Sequence, residues 1–277
     1  MNFEERALAF PCHEDWLYGV LSLPERAASR GVVVVVGGPQ YRAGSHRQFT
    51  LLARSLAQQG VAVMRFDYRG MGDSQGETRA FDDVGDDLCA AIDAFMHALP
   101  ELREVVLWGL CDAASATVMY AAGDARITGL ALLNPWVRTE DGIARTTLRH
   151  YYRDRLRDRS FWRRLIDGQF DYSHSLKSMV GLARAAFLSS PSRTHQHLPD
   201  RMHAGLGAFR GQVLFVTSEA DLTAREFCDL AGAPKWKRLL DSPRVTWRRL
   251  DKADHTFSRR VWRDQVAAWT AEWLRSW

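Results

Sequence analysis

The sequence predicts an α/β fold: a mostly parallel sheet of about eight strands, helices on both faces, and a helical insertion after the sixth strand. Three observations predict it. Continuous apolar, often β-branched runs such as Gly31-Val32-Val33-Val34-Val35-Val36 and Val61-Ala62-Val63-Met64-Arg65-Phe66 lack alternation, as strands buried on both faces do. These runs alternate with segments of helical period, which argues for parallel β–α units. Finally, Val105-Val106-Leu107-Trp108-Gly109-Leu110-Cys111-Asp112-Ala113-Ala114-Ser115-Ala116 reads as a buried strand, a sharp turn and a helix start.

Taken in order, Ala7-Leu8-Ala9-Phe10 and Trp16-Leu17-Tyr18-Gly19-Val20-Leu21-Ser22-Leu23 flank a polar turn at Cys12-His13-Glu14-Asp15 and read as a hairpin ended by Pro24. The 31–36 strand ends in Gly37-Gly38-Pro39-Gln40. A helix fits from about Ser45 to Gln59, with Phe49, Leu52, Ala53 and Leu56 on one face and Gly60 as its stop. The 61–66 strand leads into the glycine-punctuated loop Asp67-Tyr68-Arg69-Gly70-Met71-Gly72-Asp73-Ser74, and Phe81 to Leu99 reads as a helix with Val84, Leu88, Ile92 and Phe95 inward. Ile127–Leu133 is the next strand. From Arg138 to about Phe209 no strand is evident. This segment reads as a helical cap, basic at its start through Arg138, Arg145, Arg149, Arg153, Arg155, Arg157, Arg159, Arg163 and Arg164. Strands resume at Gln212–Thr217 and Val245–Leu250, and a helix from about Ser258 carries Trp262, Val266, Trp269 and Trp273 on one stripe. The expected organisation is therefore a core of residues 1–137 and 210–277 with a cap at 138–209.

Composition narrows the function. With 277 residues and 46% apolar content there is enough chain for one large core. The net charge of +4 comes mostly from arginine, since Lys177, Lys235, Lys237 and Lys252 are the only lysines. That excess suits anionic partners, but no basic–aromatic interleaving points to nucleic acid. Cys12, Cys89, Cys111 and Cys228 are scattered, which speaks against a metal cluster and a disulfide framework. No motif calls for a cofactor. Met1–Arg6 lacks the pattern of a secretory signal, and no apolar run reaches the ~20 residues of a membrane span. The expectation is a cytoplasmic protein.

The chemistry concentrates at Cys111. A strand, a tight turn bearing one nucleophilic side chain and a helix make a nucleophile elbow, and Gly109 and Ala113 are small enough to let strand and helix approach. The thiol would sit at a helix N-terminus, where the dipole favours thiolate. Acyl transfer also needs a base, an orienting acid and oxyanion donors. The loops after predicted strands supply His255 as base and Asp221 as its orienting acid, with Glu219 as a rival acid. The backbone N–H of Asp112 would face the oxyanion. A second donor would come from the Gly37-Gly38-Pro39-Gln40 loop, where Pro39 has no N–H, leaving Gly38 first and Gln40 second. Cys12, Cys89 and Cys228 read as inert, Ser115 as a packing residue, and Asp73 and Ser74 as ordering their own loop.

With the order Cys111, Asp221, His255 in place, the chain resembles the α/β-hydrolase superfamily over nearly its whole length, and 67–74 looks like that superfamily's loop after the fourth strand. Four longer segments are similar to the bacterial family called exosortase A system-associated hydrolase 1: 37–49, 109–115, 134–140 and 254–258. This resemblance implies a link to exopolysaccharide and protein-sorting loci. The superfamily's usual His-Gly before the oxyanion loop is Gly37-Gly38 here. Cysteine replaces serine, as in dienelactone hydrolases, which hydrolyse, and polyhydroxyalkanoate synthases, which transfer acyl groups.

The leading expectation is cleavage of a small-molecule acyl ester or thioester through an S-acyl-enzyme intermediate. The basic cap would suit coenzyme A phosphates or an acyl carrier protein. Transfer of the acyl group to an alcohol or amine is a second expectation. A non-catalytic binding or scaffold protein on the same fold is a third.

Overall fold

The structure is a computed structural model and describes residues 2–26, 29–38, 40–137 and 198–277. Its centre is an eight-stranded sheet of order β1-β2-β4-β3-β5-β6-β7-β8, formed by β1 (Phe3–Cys12), β2 (Asp15–Pro24), β3 (Arg30–Val35), β4 (Ala62–Asp67), β5 (Glu104–Leu110), β6 (Ile127–Leu133), β7 (Gln212–Ser218) and β8 (Val245–Leu250). β2 runs antiparallel to β1 and β4, and all other pairings are parallel. From Val32 to Val36 and along β4, β5 and β7 the side chains are almost completely buried, as the uninterrupted apolar runs require. β8 is an edge strand and turns Arg248 and Arg249 to solvent, which discourages pairing with another chain.

Seven α-helices lie among the described residues: α1 (Gln48–Gln58), α2 (Gly85–Ala98), α3 (Asp112–Ala121), α4 (Leu198–Ala208), α5 (Leu222–Ala231), α6 (Pro234–Leu240) and α7 (Arg260–Leu274). α1 packs against α7, and α3 against α4, where Gly205 lies so close to the Val118 carbonyl that a Cβ would come within 2.4 Å of it. The expected cap at 138–209 falls mostly outside the described residues. Of it, Leu198–Ala208 is α4, seated on α3 through buried Leu198, Met202 and Leu206.

Several elements differ in extent from the sequence expectation. The hairpin strands are ten residues each, in register from Phe3–Pro24 to Cys12–Asp15. The helix expected from Ser45 splits: a 3₁₀ turn covers Ser45–Arg47, His46 and Arg47 take left-handed conformations (φ 52° and 58°), and α1 starts only at Gln48. α2 begins at Gly85 rather than Phe81 because Val84 has left helical geometry (φ −109°, ψ 18°). α5 and α6 were not expected as elements. Their signals are Asp221 as N-cap, accepting from Ala224 N at 3.0 Å, and Pro234 at the first turn of α6.

The strand order matters for the site. The chain leaves β3 for β4 on one side and returns to β5 on the other, so the strand order reverses between β3 and β5, and open α/β sheets bind ligands at the C-terminal ends of such a pair. Gly38 follows β3 and Cys111 follows β5.

Candidate active site

Cys111 sits between β5 and α3 with φ 63° and ψ −125°, a conformation that costs a non-glycine residue about 1–3 kcal/mol. The surroundings enforce it. Cys111 N donates to the Leu133 carbonyl (2.9 Å), and the Cys111 carbonyl accepts from Trp136 N (3.1 Å). A Cβ on Gly109 would lie 2.7 Å from the Ala113 carbonyl carbon, so only glycine lets β5 and α3 meet this closely. Ser115 is buried and its hydroxyl donates to the Trp136 carbonyl, which makes it a structural residue of the turn.

The structure brings Cys111, His255 and Asp221 together. His255 Nδ1 is 2.8 Å from Asp221 Oδ2, and the Cys111 thiol lies close enough to the same ring to act on its charge. Burial works against a charged imidazole here. The hydrogen bond to Asp221 and the negative charge of Asp221 and Cys111 outweigh it and push the His255 pKa up to about 10. Asp221 therefore serves twice: Oδ2 caps α5 and also holds the imidazole. Glu219, the rival acid, is exposed on the same loop, and its backbone N–H donates to Leu250 O.

The His255 loop is held from below by Asn134, which closes β6 at φ 42° and is fully buried. Its Nδ2 donates to the His255 carbonyl (2.9 Å) and to Ser218 Oγ (2.9 Å), while its Oδ1 accepts from Ser218 N (2.8 Å). In the sequence Asn134 reads only as the end of a strand; an amide closing a buried strand beside the elbow is the signal of its role. Asp254 ties the same loop by accepting from Ser258 N (2.9 Å) and the Ser258 hydroxyl. Burial raises its carboxyl pKa, but these bonds win and hold it below the ordinary value.

On the other side of Cys111 lies the Gly37–Gly38 turn. Gly37 is pressed against the elbow, where a Cβ would lie 2.2 Å from Asp112 Oδ1 and 2.9 Å from Leu110 O. Gly38 N donates to Asp112 Oδ2 at 2.9 Å, and Ala113 N donates to Asp112 Oδ1 at 2.9 Å. Gln40, the second candidate donor, accepts from Ser45 N through its side-chain Oε1 (3.1 Å), bracing the loop that follows. That loop is anchored by Arg42: its N–H donates to Asp67 Oδ1 (2.6 Å) and its guanidinium pairs with both Asp67 and Asp73. Ser74 Oγ donates to Asp67 O and accepts from Tyr18 N, so Asp73 and Ser74 order this region as their sequence position suggests.

Of the remaining thiols, burial pushes those of Cys12 and Cys228 above the ordinary value, and Cys89 is exposed. Among the described residues no group of three or more His, Cys, Asp or Glu is placed to hold a metal ion. No described helix is long and apolar enough to cross a membrane.

A family model described as serine aminopeptidase, S33 (Hydrolase_4) matches residues 27–177. No curated protein matches the sequence. Among solved structures, an esterase of Pyrococcus furiosus superposes with a TM-score of 0.67 at 15% identity, covering 99% of this chain and 93% of its own. A dienelactone hydrolase from Anabaena variabilis gives 0.62 at 16% identity, with 98% and 97% covered. An α/β serine hydrolase without lid from Xanthomonas campestris gives 0.60 at 19% identity, with 99% and 97% covered. At these identities the likeness speaks for the fold.

Proposed function

Since the chain belongs to the Hydrolase_4 (serine aminopeptidase, S33) family of α/β hydrolases, we propose that it cleaves an acyl thioester or ester through an S-acyl intermediate on Cys111. One observation carries this reading: a strained elbow presents Cys111 to a His255 ring that Asp221 orients from its far side. Cys111, His255 and Asp221 are the proposed triad. The His255 imidazolium faces the Cys111 sulfur, which attacks the acyl carbon. The carbonyl electron pair moves to oxygen, where the N–H of Asp112 and that of Gly38 or Gln40 receive the charge. The pair then returns, the C–S or C–O bond of the substrate breaks, and the leaving group takes the proton from His255. Water, deprotonated by His255, releases the acid by the reverse sequence.

A sulfur nucleophile favours thioesters, because thiolate attack exchanges one thioester for another at little energetic cost. The arginines between 138 and 164 support an anionic carrier, coenzyme A or acyl carrier protein, under a cap at 138–209. The resemblance to the exosortase-associated family supports a setting in bacterial exopolysaccharide metabolism, in the cytoplasm. Acyl transfer to an alcohol or amine is the second reading, favoured by the cysteine shared with polyhydroxyalkanoate synthases. A half-buried Cys111 beside a His255 ring that Asp221 orients speaks against a non-catalytic scaffold.

The test is release of free thiol from a short-chain acyl-coenzyme A, with and without added alcohols and amines. Cys111→Ala is expected to lower kcat/KM by at least about 10³-fold, and Cys111→Ser to fold normally but lose most of the rate. Unchanged turnover in Cys111→Ala would remove Cys111 from the reaction.

A further inference from the structure

We propose that the Asp112 carboxylate is a built-in occupant of the oxyanion site, which a substrate carbonyl must displace before Cys111 can be acylated. The inference rests on the reading of Cys111 as an acyl-accepting nucleophile. Its physical basis is the convergence of backbone donors on one side chain. Asp112 Oδ2 accepts from Gly38 N and Oδ1 from Ala113 N, each at 2.9 Å, and the N–H of Asp112 itself also favours the charged carboxylate. Gly38 and Asp112 are two of the three N–H groups read as oxyanion donors, Gln40 being the third. Burial raises the Asp112 pKa; the backbone N–H groups at the start of α3 and the Gly38 turn oppose that rise, with the charge of His255 a lesser contribution and no ion pair to a Lys, Arg or His among the described residues. Gly37 makes the arrangement possible, since any Cβ there would collide with Asp112 Oδ1.

The site is thus built for an anion and already holds one. A carbonyl oxygen entering it gains nothing from donors that are satisfied. Rotation of Asp112 out of the turn frees them and is a step of each acylation. Asp112 is on this account a selectivity-determining residue: it sets a threshold that only a carbonyl pressed firmly toward Gly38 passes.

Two probes separate this from a general effect on the thiol. Hexanal adds reversibly to Cys111: the sulfur bonds to the aldehyde carbon, the carbonyl pair moves to oxygen, no group leaves, and the oxygen needs the donors. Iodoacetamide alkylates the same sulfur by displacing iodide at a saturated carbon and needs none. Hexanal affinity is read as protection of Cys111 from iodoacetamide, in the wild type, Asp112→Ala and the near-isosteric Asp112→Asn. The account expects hexanal to bind Asp112→Ala about tenfold tighter or more, the worth of a charged acceptor removed from the site, with Asp112→Asn between. The rate of alkylation without aldehyde is expected to change by less than the gain in hexanal affinity.

Equal rises in alkylation and hexanal affinity would overturn the proposal, because the carboxylate would then act only through the charge on sulfur. Unchanged or weaker hexanal binding in both variants, or no hexanal adduct in any of the three proteins, would overturn it too. If the hexanal gain appears but no protein turns over thioesters, the occupant stands and the thioester reading fails. If thioesters turn over without the gain, the occupant alone fails.

Discussion

At the residue scale the account turns on two side chains held in unusual states. Cys111 adopts φ 63°, and every neighbour that could relax it is committed: Leu133 O and Trp136 N bind its backbone, and Gly109 has no side chain to yield. His255 is charged well above the ordinary imidazole range because Asp221 and Cys111 outweigh its burial. Since its folded value, about 10, is raised above the ordinary value of 6.5, the stabilisation it brings is complete below about pH 6.5 and is lost as the pH rises through 10. The expected outcome is a His255 Cε1–H resonance titrating near pH 10 by NMR, with its midpoint lowered in Asp221→Asn. An unchanged midpoint in that variant would mean that Asp221 does not govern the ring. Cys111 and His255 are legible in the sequence because type and loop position suffice to select them. The Asp112 carboxylate is not, since position in the chain shows its backbone at the elbow but not the direction of its side chain.

At the element scale, loops rather than strands carry the site, and each is braced by a polar or charged residue near its root. Asp221 begins α5 and reaches His255; Asp254 closes the turn around His255 through Ser258; Arg42 ties the Gly38 loop to Asp67. Asn134 joins the ends of β6 and β7 to the His255 loop, and its partner Ser218 lies 84 residues away. Replacing it with alanine leaves Ser218 N and Oγ and the His255 carbonyl without their partner. Asn134→Ala is expected to lose about 3 kcal/mol in urea unfolding and to slow acylation of Cys111 as the His255 loop loosens. A loss below about 0.5 kcal/mol would show that the loop is held by other contacts. Such clamps escape sequence reading because both partners are common polar residues and only the folded sheet makes them neighbours. The same reason hides α5 and α6, whose caps are visible only when Asp221 and Pro234 are read as helix starts rather than as loop residues.

At the scale of the whole molecule, the buried strands β3 to β7 are legible as uninterrupted apolar runs, and alternation with helices implies their parallel pairing. The antiparallel β2 beside β4, and the reversal of strand order around β3, follow from the three-dimensional path and not from pattern. That reversal brings Gly38 and Cys111, from strands with β4 intervening in the sequence, to the ends of two neighbouring strands. β7 and β8 then deliver Asp221 and His255 to the same edge. The most direct test of the central claim is the intact mass of the protein quenched within seconds of mixing with butanoyl-coenzyme A. The account predicts a butanoyl increment that peptide mapping assigns to Cys111 and that is missing in Cys111→Ala. Turnover with no adduct on the wild type, even in His255→Ala where deacylation should stall, or an adduct on another residue, would contradict it.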